Sequence, residues 1–135
     1  MAEWILIVED DADMAEVLKT RLRSVGFEVH TEGQGKEALS YASEHQPDLV
    51  ILDLKLPDMS GYEVCKGLRK LYDAWTPPVL MLTGMSEPVD KLRGFAYGAD
   101  AYLTKPFEAA ELIKAIALLL GDPHWDEHPL SRQPG

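Results

Sequence analysis

Cysteine is almost absent: Cys65 stands alone in 135 residues. An intrachain disulfide and a cysteine-only metal centre are therefore excluded. The scarcity fits a reducing compartment. Cations are also scarce, with 13 Lys and Arg against 23 Asp and Glu and a formal net charge of -10. Nucleic acid and anionic membrane both need clustered cations, so neither is expected as a direct partner. Long apolar runs are missing too. The run Trp4–Val8 is too short for a signal peptide and is followed at once by acids. The run at 115–120 cannot span a bilayer. The expected location is the cytoplasm. What remains is the composition of one globular domain, 46% hydrophobic and 27% charged. A chain of this size buries roughly two-thirds of its unfolded surface.

The patterning alternates between two periods. Residues 4–8, 48–53 and 78–83 are continuous apolar runs, the mark of strands covered on both faces. Shorter strands are expected at 27–31 and 101–103. Between them lie helical patterns. The first carries Met14, Val17, Leu18, Leu22 and Val25, and Gly26 stops it. Others are expected over 36–44, over 62–72 with Val64, Leu68 and Leu71 on one face, and over 89–97 with Leu92 and Ala96 inward. The last covers 108–120, with Leu112, Ile113, Ile116 and Leu120 inward. Five strands alternating with five helices predict a parallel sheet with helices on both faces, an α/β doubly wound fold. Residues 1–121 form the domain. Residues 122–135 hold Pro123, Pro129 and Pro134 without apolar periodicity and are expected to be a tail or the start of a linker.

In such a sheet, ligands bind beyond the carboxyl ends of the strands. Those ends carry Glu9 and Asp10, then Asp53, Thr83 and Lys105. Three carboxylates brought together repel one another, and a divalent cation or a lysine relieves the repulsion. An all-oxygen donor set suits Mg²⁺, which in turn favours phosphate oxygens. A carboxylate held beside Mg²⁺ and a lysine can attack phosphorus and form an aspartyl phosphate. Thr83 and Lys105 would then hydrogen-bond or neutralise the phosphoryl oxygens. Elsewhere the signals are weaker. Asp11 and Asp13 suit the start of the first helix. His30 and His45 have no partner at metal-ligand spacing, and His124 and His128 fall in the proline-bearing tail. The stretch 33–36, Gly-Gln-Gly-Lys, lacks the spacing of a phosphate loop.

The segments Val8-Glu9-Asp10-Asp11, Leu52-Asp53-Leu54, Leu56-Pro57-Asp58-Met59-Ser60-Gly61, Leu82-Thr83-Gly84 and Thr104-Lys105-Pro106-Phe107 fall in order on successive strand ends. Over about residues 3 to 120 the chain resembles the receiver domain of bacterial two-component response regulators. That resemblance implies a flavodoxin-like (βα)5 three-layer sandwich with a five-stranded parallel sheet of order 2-1-3-4-5. It implies that Asp53 is the phosphorylation site. Asp10 and Asp53 would ligate Mg²⁺ directly, Glu9 through water, and Lys55 through its carbonyl. Thr83 and Tyr102 would be the switch pair, Lys105 would meet the phosphoryl group, and the bond to Pro106 would be cis. The donor would be a sensor histidine kinase or phosphotransfer protein docking on the side of the first helix. The protein would then be a signalling switch rather than an enzyme with a released product.

Some positions depart from common members. Lys55 sits two residues after Asp53, where its long side chain could lean over the site. Gly84 replaces a usual alanine. The fourth helix, fifth strand and fifth helix would form the face for a homodimer or effector. Lys91 and Glu111 remain there, but Ala101, Ala115 and Ala117 replace common charges, and Leu118 and Leu119 add apolar surface. A hydrophobic contact or another partner is expected in place of the charged pairing. Two alternatives stand beside the switch. The chain could be part of a larger transcription regulator or hybrid kinase. An aspartate-nucleophile phosphatase is the weaker one, because that chemistry wants an acid where Lys55 stands.

Overall fold

The computed structural model describes residues 3–71, 77–84 and 88–121. The elements run β1 (Trp4–Val8), α1 (Ala12–Ser24), β2 (Glu28–Glu32), α2 (Gly35–Glu44), β3 (Leu49–Leu52), α3 (Gly61–Leu71), β4 (Val79–Thr83), α4 (Pro88–Ala96), β5 (Ala101–Thr104) and α5 (Ala109–Leu120). All strand pairs are parallel, in the order β2-β1-β3-β4-β5. This is the expected doubly wound α/β sandwich. Successive side chains of a strand point to opposite faces. Leu6, Val8, Val50, Leu52, Val79 and Met81 accordingly pack with α2 and α3 through Ala38, Ala42, Val64, Cys65 and Leu68. Ile5, Ile7, Leu49, Ile51, Leu80 and Leu82 pack with Leu18 and Leu22 of α1 and with Leu112, Ile113 and Ile116 of α5. Two cores, one on each face, explain why the central strands are apolar without interruption.

Local signals set the helix ends. Asp11 caps α1, its carboxylate accepting from the backbone N–H of Asp13 at 3.0 Å and of Met14 at 3.2 Å. Gly26 follows α1 at φ 101°, a conformation that disfavours any side chain with a Cβ. The strand at the sheet edge runs one residue later than expected, from Glu28 to Glu32. The expected ends at Tyr72 and in the 122–135 tail lie outside the described residues.

One helix sits differently from its pattern. Leu92 and Ala96 do not turn inward: Leu92 is 70% exposed and Ala96 is exposed. The contact with the sheet is made by Gly94 instead. A Cβ there would lie 3.0 Å from Met81 Sδ and 3.1 Å from the Tyr102 ring. Two residues are about 200° of rotation round a helix. Seating Gly94 on the sheet therefore sends Leu92 to solvent, with Val89 and Phe95 also exposed. Val17 and Leu71, expected in the buried stripes of their helices, likewise face outward.

Candidate functional site

The carboxyl ends of β1 and β3 lie side by side, because Val8 pairs with Leu52. The next residues, Glu9, Asp10 and Asp53, are thereby brought together, with carboxylate oxygens all within 4.8 Å of one another. Glu9 and Asp53 are buried, and Asp10 is exposed. Lys105 reaches in from the end of β5. Its Nζ lies 2.6 Å from Glu9 Oε1 and 3.4 Å from Asp53 Oδ2. The lysine thus sits between two acids but favours Glu9, the deeper one. The Lys105–Pro106 bond is cis.

Thr83 ends β4 and is buried. With Asp53, Lys55 and Gly84 it lines an open pocket of about 220 Å³. Lys55 is exposed, and its backbone N–H approaches Asp53 Oδ1 at 3.5 Å. Tyr102 lies on β5, paired with Met81, two positions before the Thr83–Thr104 pair. It is half-buried against the α3-side core, and burial pushes its hydroxyl up to about 12. The structure therefore gathers Glu9, Asp10, Asp53, Thr83, Lys55 and Lys105 at one edge, with Tyr102 in the layer behind.

The electrostatics follow from this crowding. Burial, opposed by the Lys105 hydrogen bond and reinforced by neighbouring Asp53, raises Glu9 from 4.5 to about 7. Burial pulls Lys105 down, but its bond to Glu9 and the charges of Asp53 and Glu9 more than offset this and hold it above its ordinary value. The acidic donor set is all oxygen, partly open to solvent through Asp10. It fits a hard divalent cation that keeps some of its waters, as Mg²⁺ does.

The loop after β3 is clamped onto the site. Gly61 N–H donates to Leu54 O at 2.8 Å, and a Cβ on Gly61 would collide with Asp53 O and approach Leu54 Cα to 2.9 Å. Asp58 is held by the backbone N–H of Gly35 at 2.7 Å and of Lys36 at 2.9 Å, which tie the loop to α2 and keep this carboxyl below its usual range. Sequence patterning did not single out these tethers. The segment 56–61, which carries part of the resemblance, is their only trace in the sequence.

Comparison with known proteins agrees with this geometry. A family model for the response regulator receiver domain matches residues 5–117. A relative named "probable transcriptional regulator ycf27" from Porphyridium aerugineum is 42% identical over 118 residues, covering 87% of this chain and 48% of its own length. The chain thus spans about half the length of the curated relatives it matches. A solved chain from Chloroflexus aurantiacus, described as a response regulator, superposes with a TM-score of 0.84 at 39% identity, covering 90% of this chain and 99% of its own. The receiver domain of a sensor histidine kinase from Pseudomonas aeruginosa, solved with a magnesium ion in its active site cleft, gives a TM-score of 0.82 at 29% identity, covering 90% and 99%. Among the described residues no helix is long and apolar enough to cross a membrane. Matched over most of its length, and with buried acids met by a lysine at its strand ends, the chain belongs to the response regulator receiver domain family.

Proposed function

We propose that the chain is a phospho-accepting switch, with Asp53 as acceptor and a phosphohistidine of a sensor kinase or phosphotransfer protein as donor. The observation that carries this is the meeting of Glu9, Asp10 and Asp53 within 4.8 Å, with Lys105 between Glu9 and Asp53. A carboxylate oxygen of Asp53 attacks phosphorus. The P–N bond to imidazole breaks as the new P–O bond forms, and the imidazole leaves with its electron pair and takes up a proton. Asp10 and Asp53, with Glu9 behind them and the Lys55 carbonyl beside them, would hold Mg²⁺. When bound, Mg²⁺ supplies positive charge to the phosphoryl oxygens. Lys105 can shift from Glu9 toward the phosphoryl group, and the Thr83 hydroxyl can donate to it. Lys55 stands where an aspartate-nucleophile phosphatase would want its general acid, which favours a switch over turnover. The full-length relatives named as transcriptional regulators support a place as the input part of a longer regulator, with residues 122–135 as linker. A small-molecule phosphodonor with Mg²⁺ should add one phosphoryl group per chain, seen by intact mass. Sustained hydrolysis of simple phosphate esters would instead favour the phosphatase.

Signal output would run through Thr83 and Tyr102. With the threonine hydroxyl drawn to the phosphoryl group, Tyr102 can settle further behind it and alter the face of α4 and β5. A beryllofluoride complex, a phosphoryl mimic, should shift amide signals around residues 83 to 105 as well as near Asp53. Thr83→Ala should still bind the mimic but lose most of the distant shifts. Equal distant shifts in that variant would refute the coupling.

The raised Glu9 makes metal binding depend on pH. Its folded-state value of about 7 exceeds its ordinary 4.5, so its contribution to metal-free stability is full below 4.5 and is lost as pH rises toward 7. Mg²⁺ favours the ionised carboxylate and relieves that loss. Thermal melts should therefore show a larger Mg²⁺-induced rise in Tm at pH 8 than at pH 6. Glu9→Gln should flatten the difference, and Asp10→Ala should weaken Mg²⁺ binding at both values. A pH-independent rise in the parent protein would contradict the protonation of Glu9.

A further inference from the structure

We infer a second binding site at the far edge of the sheet, an aromatic and acidic groove that takes an arginine-bearing segment of a partner protein. Four rings meet where β1, β2 and α2 come together. His30 stacks on Tyr41 at 3.7 Å between centroids and 6° between planes, and Tyr41 stacks on His45 at 4.2 Å and 16°. Trp4 stands edge-on to Tyr41 at 5.5 Å and to His45 at 6.5 Å. These rings, with Glu28 and Val29, line a cavity of about 400 Å³. That size is within the range of ligand sites.

The charge around it has one sign. Tyr41 also lines an adjoining hollow of about 250 Å³ whose other walls are Glu32, Glu37, Ser40 and Glu44. Among the described residues, neither hollow is lined by a lysine or arginine. Glu32 meets His30 Nε2 at 2.7 Å, which leaves Glu28, Glu37 and Glu44 at the rim. β2 is the edge strand, so the groove opens to the side of the sheet. Arg23 approaches the Val29 carbonyl at 3.4 Å from α1, which packs on the opposite face of the sheet.

A guanidinium suits this pairing of rings and acids. It is planar, stacks on aromatic faces, and donates in a fork that matches carboxylates. Both faces of Tyr41 are covered by His30 and His45, so the methylene stem lies along the outer rings of the stack and Trp4 while the head reaches the rim acids. The groove shares no lining residue with the phosphoryl pocket.

The test is an amide and indole NMR titration of the whole chain, with saturating Mg²⁺ to cover the acids near Asp53. The probe is a capped peptide carrying two arginines. Saturable shifts should centre on Trp4, Glu28, His30, Tyr41 and His45. The double variant Glu28→Gln, Glu44→Gln removes two exposed charges without touching either core, and should weaken binding by about fivefold. A peptide with citrulline for arginine, equal in shape but uncharged, should show no saturable shift. Equal binding of the citrulline peptide, shifts centred on Asp53 instead, or no saturation would each overturn the inference. So would a free polyamine binding as tightly as the peptide at the same residues.

Discussion

Asp53→Asn should lower phosphorylation by a small-molecule donor to background, the largest functional loss expected of any single substitution here. The amide is a poor nucleophile and carries no charge for a divalent cation. The variant should fold, because asparagine has the shape of aspartate and removes one of three crowded acids. It should even melt slightly higher without Mg²⁺, since the Asp53 charge adds to the repulsion felt by Glu9. Intact mass after incubation with donor and Mg²⁺ reads the first effect, and a metal-free melt reads the second. A variant labelled as strongly as the parent would place the acceptor elsewhere.

Gly61→Ala should give the largest structural loss for one added methyl group. The Cβ would collide with the Asp53 carbonyl and lie 2.9 Å from Leu54 Cα, both backbone atoms of the β3 end. No side-chain rotation can relieve a backbone collision. Either α3 lifts from the loop, breaking the 2.8 Å Gly61-to-Leu54 hydrogen bond, or the Asp53 segment moves. Overpacking of this kind costs about 1–3 kcal/mol, and for a domain of this size each kcal/mol lowers Tm by about 4 °C. Phosphorylation should slow as well, because Asp53 shifts against Lys105. Gly84→Ala is the matched control: among the described residues its Cβ would meet nothing within 4 Å, so its melt should be unchanged. If the two variants melt together, the tight approach at Gly61 is not a constraint.

The sheet and its site differ in how openly the sequence displays them. Strands β1, β3 and β4 stand out because both faces are buried, which removes polar residues from the whole run. The acids at their ends stand out because ionisable groups directly after buried strands are otherwise costly. The helix α4 is less legible. Its pattern places Leu92 and Ala96 inward, yet both are exposed. Hydrophobicity could not reveal that Gly94, which has no side chain to bury, is the residue seated on Met81 and Tyr102. The partner of Lys105 was equally hidden. Its type and place beyond the fifth strand imply a contact with phosphate, but only the folded arrangement puts it closer to Glu9 than to Asp53.

The amino-acid order by itself determined the alternation of strands and helices, the two-sided burial of the central strands, and the chemical groups standing at their ends. These follow from local periodicity, which records how each element faces relative to its own axis. The tertiary structure decided how each element is turned against its neighbours. It set the rotation of α4, the seat of Lys105, the clamp of Gly61 on the Asp53 backbone, and the stacking of His30, Tyr41 and His45 beside Trp4. Such contacts join residues as far apart as Glu9 and Lys105, 96 positions along the chain. They depend on close packing between surfaces, a property of pairs of elements that no single segment carries.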